Sequence, residues 1–329
     1  MSVLESTDFR NYLRIDSRSF DILFNLVTPF IKKQDPTLRD SINDCCNNGC
    51  NPCIFDVYDM QMKLFRKSKE KARISFTTLS NGISQLKYAP FFVVEAIDIC
   101  RYHKLIKFKK RTEGNTVSWK PGSHFFILIR LDEDKYSRAY TPIKLTTQLK
   151  EDFDFSIIIK SYEGGLVSKY LYNLERNDTT LWRGPFSSYD VVPNKYKNIV
   201  MVGQGTGVIP LISIIDIILR DEDDMTKVFL HYCCQSIDQV LFRDDLYSFK
   251  SYWNFNYNIY LSKTEACNSS HQISSCRYEE PIKTNRLNIN LLEICSSNQY
   301  LLCGSTDFMN HFQEHLLSCN VPTQNIILF

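Results

Sequence analysis

Residues 198–219 read NIVMVGQGTGVIPLISIIDIIL, and this stretch decides the fold of the C-terminal part of the chain. Its first apolar run, Asn198–Val202, indicates a buried strand, and the nearly all-apolar Val208–Leu219 indicates a helix packed on a sheet. The three glycines between them permit a tight turn and a close backbone approach to a phosphate. They are Gly203, Gly205 and Gly207. The stretch therefore predicts a strand–loop–helix unit that can bind a phosphate-containing ligand.

After this unit, strand patterns and helix patterns alternate. Strands are predicted at Lys227–Tyr232, Asn256–Leu261, Gln299–Leu302 and Asn325–Phe329, and helices at Leu241–Phe249 and Thr306–Leu317. The polar stretch 262–282 is predicted to be a loop. Strands that alternate with helices are typical of an α/β doubly wound parallel sheet.

The preceding residues, 85–192, have a different texture. Strands are predicted at Pro90–Asp98, Leu105–Lys110, His124–Leu131 and Phe153–Lys160, followed by one short helix at Leu166–Leu174. Short strands separated by turns favour an antiparallel β-barrel. Residues 1–84 carry weaker patterns, with amphipathic helices predicted at 18–31 and 55–71. We therefore divide the chain into three parts: 1–84, 85–192 and 193–329.

The bulk composition limits the function classes. The chain has 329 residues, of which 43% are hydrophobic, which is enough for two domains of ordinary size. Its 39 basic and 37 acidic residues give a net charge of +2, which argues against a nucleic-acid binder. No apolar run reaches the length of a membrane anchor, and no secretory signal is visible. We expect a soluble intracellular protein in the cytoplasm, with a mitochondrial location left open.

Four more motifs carry side chains suited to anionic ligands. Arg138-Ala139-Tyr140-Thr141-Pro142 combines a guanidinium with two hydroxyls, a set that can hold a pyrophosphate and an aromatic ring edge. The stretch from Lys160 to Ser168 contains Tyr162 and a glycine pair that opens a short helix, a second place for an anion. Two further motifs follow: Arg183-Gly184-Pro185-Phe186 and Leu302-Cys303-Gly304-Ser305-Thr306.

In this order and spacing, the five motifs resemble the flavin- and pyridine-nucleotide-binding signatures of the NADH–cytochrome b5 reductase family, over about residues 85–329. The family consists of ferredoxin-reductase-type flavoproteins. The resemblance implies an FAD-binding β-barrel, an α/β NAD-binding domain, and an enzyme that passes electrons from NADH through FAD to a one-electron acceptor. A haem protein such as cytochrome b5, on a separate chain, is the implied acceptor. NADPH stays open, because the family's acidic residue that favours NADH falls at Gln239, beside Asp238.

The resemblance also implies which residues bind the cofactors. Those implied for FAD are Arg138, Tyr140, Thr141, Pro142, Lys160, Tyr162, Gly165, Leu166, Val167, Ser168 and Phe329. Those implied for NADH are Gly203, Gly205, Gly207, Cys303 and Gly304. Thr206 is implied to lie by the flavin where the two domains meet, and Thr206 and Cys303 are the residues implied in hydride transfer. His124 is either a histidine beside the cofactor or a structural one. Because such enzymes need orientation and electrostatics from the protein, the lack of a catalytic triad is no objection.

The sequence departs from the family's pattern at four places. Ala139 replaces a proline, and Lys144 replaces a small hydroxyl residue. Leu166-Val167 replaces a basic residue followed by Met, and Ser305-Thr306-Asp307 replaces a proline-rich run. These departures keep two alternatives open: a catalytically degenerate binding or assembly module with the flavoprotein fold, and a flavin reductase for another acceptor.

A cysteine cluster marks the N-terminal segment. Its members are Cys45, Cys46, Cys50 and Cys53. With Asp56 and Tyr58, the cluster resembles an oxidoreductase-like N-terminal module that precedes the reductase in the reductase-like branch of the family. Three hypotheses compete: a two-iron cluster, whose loop spacing three of the cysteines share; a zinc site, which the adjacent pair fits poorly; and reduced thiols in a structural or docking segment. We favour the third and predict no metal.

Overall fold

The computed structural model describes residues 81–111, 115–131, 134–187, 189–263 and 278–329. These described residues all belong to one compact unit and form two six-stranded sheets. The cysteine cluster and the helices predicted at 18–31 and 55–71 lie outside them, so those assignments stay predictions. None of the described helices is both long enough and apolar enough to cross a membrane.

The first sheet is antiparallel. Its strands are β1 (Ala89–Cys100), β2 (His103–Lys110), β3 (His124–Leu131), β4 (Asp134–Tyr140), β5 (Phe155–Lys160) and β6 (Thr179–Phe186), in the order β4-β3-β6-β1-β2-β5. Helix α1 (Leu166–Tyr172) lies between β5 and β6 in the chain. Ile143, just past β4, bridges to Ser156 on β5, so the two edges of the sheet are linked. This closure confirms the predicted antiparallel β-barrel.

Five aromatic side chains fill the barrel, one from each of five strands. They are Phe91, Phe108, Phe125, Phe155 and Trp182, and all are fully buried. Neighbouring ring centroids lie 5.0 to 5.4 Å apart, mostly edge to face. Each such pair contributes about 0.5–1.5 kcal/mol beyond its buried area. The barrel is therefore a rigid support for the residues at its strand ends.

The second sheet is parallel. Its strands are β7 (Asn198–Gln204), β8 (Lys227–Cys234), β9 (Phe255–Leu261), β10 (Ile282–Lys283), β11 (Gln299–Cys303) and β12 (Ile326–Leu328). Its helices are α2 (Val208–Arg220), α3 (Arg243–Phe249) and α4 (Thr306–Ser318). The strand order β10-β9-β8-β7-β11-β12 confirms the doubly wound fold. The chain builds outward from β7 on one side and returns to its other side at β11, and such a reversal is where ligands bind.

The buried position of helix α2 explains why its sequence is apolar on nearly every face. Ten of its residues are buried, and eight of them belong to one core that joins the parallel sheet to Ile143, Leu145 and Ile158 of the barrel. A helix that is apolar all round is buried on all sides. The helix that begins at the glycine loop is therefore also the element that ties the barrel to the parallel sheet.

Some boundaries differ from the predicted ones. Strands β4 and β6 were not predicted, and in β4 the sequence DKYSRAY lacks an apolar alternation because most of its positions are partly exposed. The helix predicted from Leu241 begins at Arg243, since Phe242 adopts a left-handed backbone (φ +59°) that ends regular structure. The predicted loop 262–282 ends in β10, and the last strand starts at Ile326 after a 3₁₀ turn.

A buried carboxylate on α2 fastens the two sheets together. The Asp216 side chain accepts hydrogen bonds from the Thr146 backbone N–H at 2.8 Å and from the Thr146 hydroxyl at 2.6 Å. Thr146 lies between β4 and β5, in the barrel half of the structure. Asp216 is 4% exposed, and its other oxygen lies 3.4 Å from Nε of Arg220. The contact therefore holds a barrel loop against α2.

We expect Asp216→Ala to lower the free energy of unfolding by about 2–4 kcal/mol, because it leaves the Thr146 N–H and Arg220 without their buried acceptor. Urea unfolding measures this change. The matched variant Thr146→Ala removes only the hydroxyl and should cost about 1 kcal/mol. Equal losses in the two variants would contradict a role for the carboxylate beyond the hydroxyl contact.

Candidate functional site

A cleft of about 940 Å³ lies between barrel strand ends and the carboxyl ends of the parallel strands. Ten of the predicted site residues line it: Tyr140, Thr141, Lys160, Tyr162, Gly205, Thr206, Gly207, Cys303, Gly304 and Phe329. They come from five separate stretches of sequence. The structure therefore brings the two predicted cofactor motifs together at the point where the strand order reverses.

The glycine loop fits tightly against the end of β11. Gly205 has φ +55°, a left-handed conformation that glycine adopts without a steric penalty. At Gly207, an added Cβ would lie 2.4 Å from the Cys303 carbonyl oxygen. The backbones of the loop and of β11 can approach this closely only because position 207 lacks a side chain.

Cys303 is a neutral thiol at the end of β11. Its Sγ donates to the Phe329 carbonyl oxygen at 3.7 Å. Burial raises the pKa of the Cys303 thiol to about 12, so the thiolate is not populated near neutral pH. Ser305, two residues on, donates its N–H and its hydroxyl to the Gln204 side-chain oxygen at 3.1 and 3.0 Å, which ties β11 to β7. The geometry suits Cys303 to positioning a ligand rather than to nucleophilic attack.

The last residue packs across to the barrel. The Phe329 backbone N–H donates to the Leu302 carbonyl oxygen at 3.0 Å. Its ring lies so close to Gly122 that an added Cβ there would be 2.4 Å from the Phe329 Cε1 atom. Gly122 has φ +72°, so the close approach and the turn both need glycine. Phe329 therefore gives the cleft an aromatic wall that both halves of the structure hold in place.

The barrel wall offers hydroxyls and a cation. Burial raises the pKa of the Tyr140 hydroxyl, and the charge of Arg138 partly opposes this. Lys160, at the end of β5, places its Nζ 3.1 Å from the Gln239 side-chain oxygen. Among the described residues, the Tyr140 and Thr141 hydroxyls have no hydrogen-bond partner in the protein. These groups are available to a ligand.

Two buried imidazoles also line the cleft, and each leaves its Nε2 without a partner in the part of the chain that the structure describes. Burial lowers the pKa of His124 to about 4 and lowers the pKa of His103 as well, so both rings are neutral at pH 7. The His103 Nδ1 lies 2.8 Å from the Arg101 carbonyl oxygen, so Nδ1 carries the proton and Nε2 is an acceptor. Because buried polar atoms are normally hydrogen-bonded, these atoms indicate a polar ligand in the cleft.

The sequence singled out His124 but missed His103. His103 reaches the cleft because it lies opposite Lys160 in the β2–β5 pairing. A local pattern of residues carries no information on that register. The pairing of β2 with β5 is the signal that would have found it.

Seven predicted site residues lie outside the cleft lining: Arg138, Pro142, Gly165, Leu166, Val167, Ser168 and Gly203. Gly203 is buried in β7. The Ser168 hydroxyl donates to the Gly165 carbonyl oxygen at 3.1 Å, within the first turn of α1. Arg138 is half-buried two residues before Tyr140, on the same face of β4. Their assignment to a cofactor stays a prediction.

The described side chains that give the cleft its charge are positive. No Asp or Glu of the described residues lines it, whereas Lys160 and Arg286 do. A cavity lined by one sign of charge concentrates ligands of the opposite sign. Aromatic rings, unpartnered hydroxyls, cations and a glycine loop at a helix start together fit FAD and a pyridine dinucleotide, whose pyrophosphates are anionic.

Three family models match the chain. One is described as an oxidoreductase FAD-binding domain and matches residues 90–190. A second is an oxidoreductase NAD-binding domain, at residues 201–314. The third is the N-terminal part of an oxidoreductase-like protein, at residues 34–74, which confirms the resemblance around the cysteine cluster.

Two relatives match most of the chain, and their names agree with the matched FAD- and NAD-binding domains. The human and mouse proteins named NADH-cytochrome b5 reductase-like are 27% and 28% identical to it. The matches cover 87% of this chain and 92% and 93% of those proteins. The cytochrome b5 reductase domain of Ulva prolifera nitrate reductase has the same fold, with a TM-score of 0.63 and 20% identity over 76% of this chain and 100% of that domain. The chain belongs to the FAD- and NADH-dependent oxidoreductases of the cytochrome b5 reductase type.

Proposed function

We propose that this chain oxidises NADH and passes the electrons to a one-electron acceptor carried by a separate haem protein of the cytochrome b5 type. The observation that carries the proposal is the cleft whose described charged side chains are Lys160 and Arg286, in which barrel hydroxyls meet the glycine loop and the end of β11. The names of the human and mouse relatives support NADH as the donor and cytochrome b5 as the acceptor.

On the barrel side, Tyr140, Thr141 and Lys160 would hold FAD, with Arg138 at its pyrophosphate. Tyr162, Phe329 and the α1 residues from Gly165 to Ser168 complete the proposed contacts. The bound flavin supplies the chemistry that the side chains here lack, since it accepts a hydride and can release electrons singly. The neutral His103 ring would accept a hydrogen bond at Nε2, and the neutral His124 ring would offer its unpartnered Nε2 to a polar ligand edge.

On the other side, the backbone of Gly205–Gly207 would bind the dinucleotide close to the start of α2. Thr206 would lie where the two cofactors meet. Cys303 would orient the nicotinamide as a neutral thiol, because a thiolate would add a charge beside it. Orientation of this kind is the protein's main contribution in such an enzyme.

The proposed boundaries are 85–192 for the FAD-binding part and 193–329 for the NAD-binding part. The two sheets and the two matched domain models support this division. We also propose a cytoplasmic location, which the described cysteines support: all six are free thiols, as expected in a reducing compartment.

An absorption spectrum taken before and after the anaerobic addition of NADH tests the proposal. We expect the purified protein to show a flavin spectrum and to bleach on mixing, because the cleft binds both cofactors. A colourless protein that also fails to take up added FAD would favour a binding module that has lost catalysis.

The bleached protein then distinguishes the acceptors. Rapid reoxidation by cytochrome b5, slowed by salt as expected for docking between charged surfaces, would support the proposed acceptor. Reoxidation by free flavin or a disulfide, with cytochrome b5 inert, would instead make the chain a flavin reductase for another acceptor.

A further inference from the structure

We infer that the cleft accepts NADPH as well as NADH, with Arg286 as the partner of the 2′-phosphate. The inference rests on the proposed function, because it concerns the same dinucleotide site. NADPH differs from NADH by one phosphate on the adenosine ribose. The charges around the end of the second parallel strand therefore decide between them.

Selectivity in this kind of sheet follows from simple chemistry. An acidic side chain after the second strand accepts from the ribose 2′-hydroxyl and repels a 2′-phosphate, whereas a nearby arginine pairs with that phosphate. The second strand here is β8, which ends at Cys234. The next residue, Gln235, is exposed and lines the cleft, and it is neutral. The residue directly after the second strand therefore carries no charge that would repel a 2′-phosphate.

A second neutral residue lies in the same loop. Gln239 lines the cleft with 9% of its surface exposed, and its side-chain oxygen accepts from Lys160 at 3.1 Å. An acidic residue here would neutralise Lys160 and add repulsion toward a phosphate. The amide does neither, so Lys160 keeps its full charge in the cleft.

The one acidic residue of this loop points elsewhere. The Asp238 carboxylate pairs with the Arg101 guanidinium at 3.2 Å and accepts from the Ser236 hydroxyl. It does not line the cleft. Its charge is therefore compensated on the far side of the loop and does not oppose a 2′-phosphate.

Arg286 supplies a positive charge that would attract the 2′-phosphate. It follows β10 in the chain, at the carboxyl edge of the parallel sheet, and its side chain is exposed and lines the cleft. No carboxylate within the described ranges forms an ion pair with it. Guanidinium groups bind phosphate oxygens through two parallel hydrogen bonds. An exposed arginine without a carboxylate partner among the described residues, in a cleft that no described Asp or Glu lines, suits a phosphate dianion.

The test compares two ligands that carry no redox chemistry. Titration calorimetry on the full-length protein measures the dissociation constants of 2′,5′-ADP and of 5′-AMP, which differ only by the 2′-phosphate. We expect 2′,5′-ADP to bind at least as tightly as 5′-AMP. Binding of 2′,5′-ADP tenfold or more weaker than that of 5′-AMP would overturn the inference.

Two variants assign the effect to residues. Arg286→Ala should weaken the binding of 2′,5′-ADP about tenfold and leave the binding of 5′-AMP unchanged, because one charged phosphate contact is lost. Gln235→Glu should weaken 2′,5′-ADP relative to 5′-AMP by a similar factor, through repulsion. Arg176→Ala, at an exposed arginine outside the cleft, is the matched control and should change neither constant. Equal weakening of both ligands in Arg286→Ala would overturn its assignment to the 2′-phosphate.

The flavin spectrum distinguishes a failure of this inference from a failure of the proposed function. Bleaching by NADPH and by NADH at comparable concentrations supports both. Bleaching by NADH alone rejects the inference and leaves the function standing. A flavin-loaded protein that neither dinucleotide bleaches rejects the proposed function itself.

Discussion

Replacing Gly207 by alanine is expected to lower NADH-dependent flavin reduction by about 100-fold, because about 1 Å of displacement at a hydride-transfer site can cost that much. The added Cβ would lie 2.4 Å from the Cys303 carbonyl oxygen and 2.7 Å from its carbonyl carbon. Both are backbone atoms, which cannot rotate away as a side chain can. The end of β11 and the glycine loop must therefore separate. Stopped-flow absorbance at the flavin band measures the rate.

Two other glycines provide the controls. In Gly205→Ala the added Cβ meets open space, but the alanine must adopt φ +55°, which costs about 1 kcal/mol. A smaller loss in the rate of flavin reduction is therefore expected. At Gly164, on the FAD side of the site, an added Cβ meets no heavy atom within 4 Å and the backbone is not left-handed, so flavin-loaded Gly164→Ala should be reduced as fast as the parent protein. If Gly207→Ala reduced its flavin as fast as Gly164→Ala, the contact between loop and strand would not matter for hydride transfer.

The contrast among these glycines shows what the sequence could predict. The strand, loop and helix around Gly207 follow from the local pattern of apolar residues and glycines, and the structure confirms all three. The contact of Gly207 with Cys303 does not follow from that pattern. It arises because β11 pairs with β7 in parallel, which places Cys303 beside Gly203. Only the motif order shared with a known family connected these two segments in advance.

Other residues of the cleft could not be predicted from the sequence for the same reason. His103 enters the cleft through its pairing with Lys160, and Arg286 enters it just after β10, a two-residue strand that was not predicted. Strand β4, with its polar sequence, gave no periodic signal although it carries Arg138 and Tyr140. Periodicity reports which side chains face a core. It does not report which polar side chains meet across a cleft.

Arg138→Ala is expected to raise the dissociation constant for FAD by about 100-fold or more, because losing one partner of a buried, hydrogen-bonded charge pair costs about 2–5 kcal/mol. The Arg138 guanidinium is half-buried, and its one described hydrogen bond goes to the Ser137 carbonyl oxygen at 2.7 Å. No carboxylate among the described residues forms an ion pair with it. Its charge reaches Tyr140, whose side chain lines the cleft. A partly buried cation of this kind, next to a cleft that no Asp or Glu of the described chain lines, is where a pyrophosphate would be stabilised.

The measurement is the ratio of flavin to protein absorbance after gel filtration, followed by titration with FAD. Circular dichroism and thermal unfolding of each variant separate loss of cofactor binding from loss of fold. Arg138→Lys keeps the charge but not the planar fork of donors, so it should retain an intermediate share of flavin. Arg130→Ala, at an exposed arginine on β3, is the matched control and should stay fully loaded with flavin.

A folded Arg138→Ala protein with full flavin would mean that the pyrophosphate lies elsewhere. The phosphate-binding role would then pass to the amides at the start of α1, which the same titration can test in Gly165 and Ser168 variants.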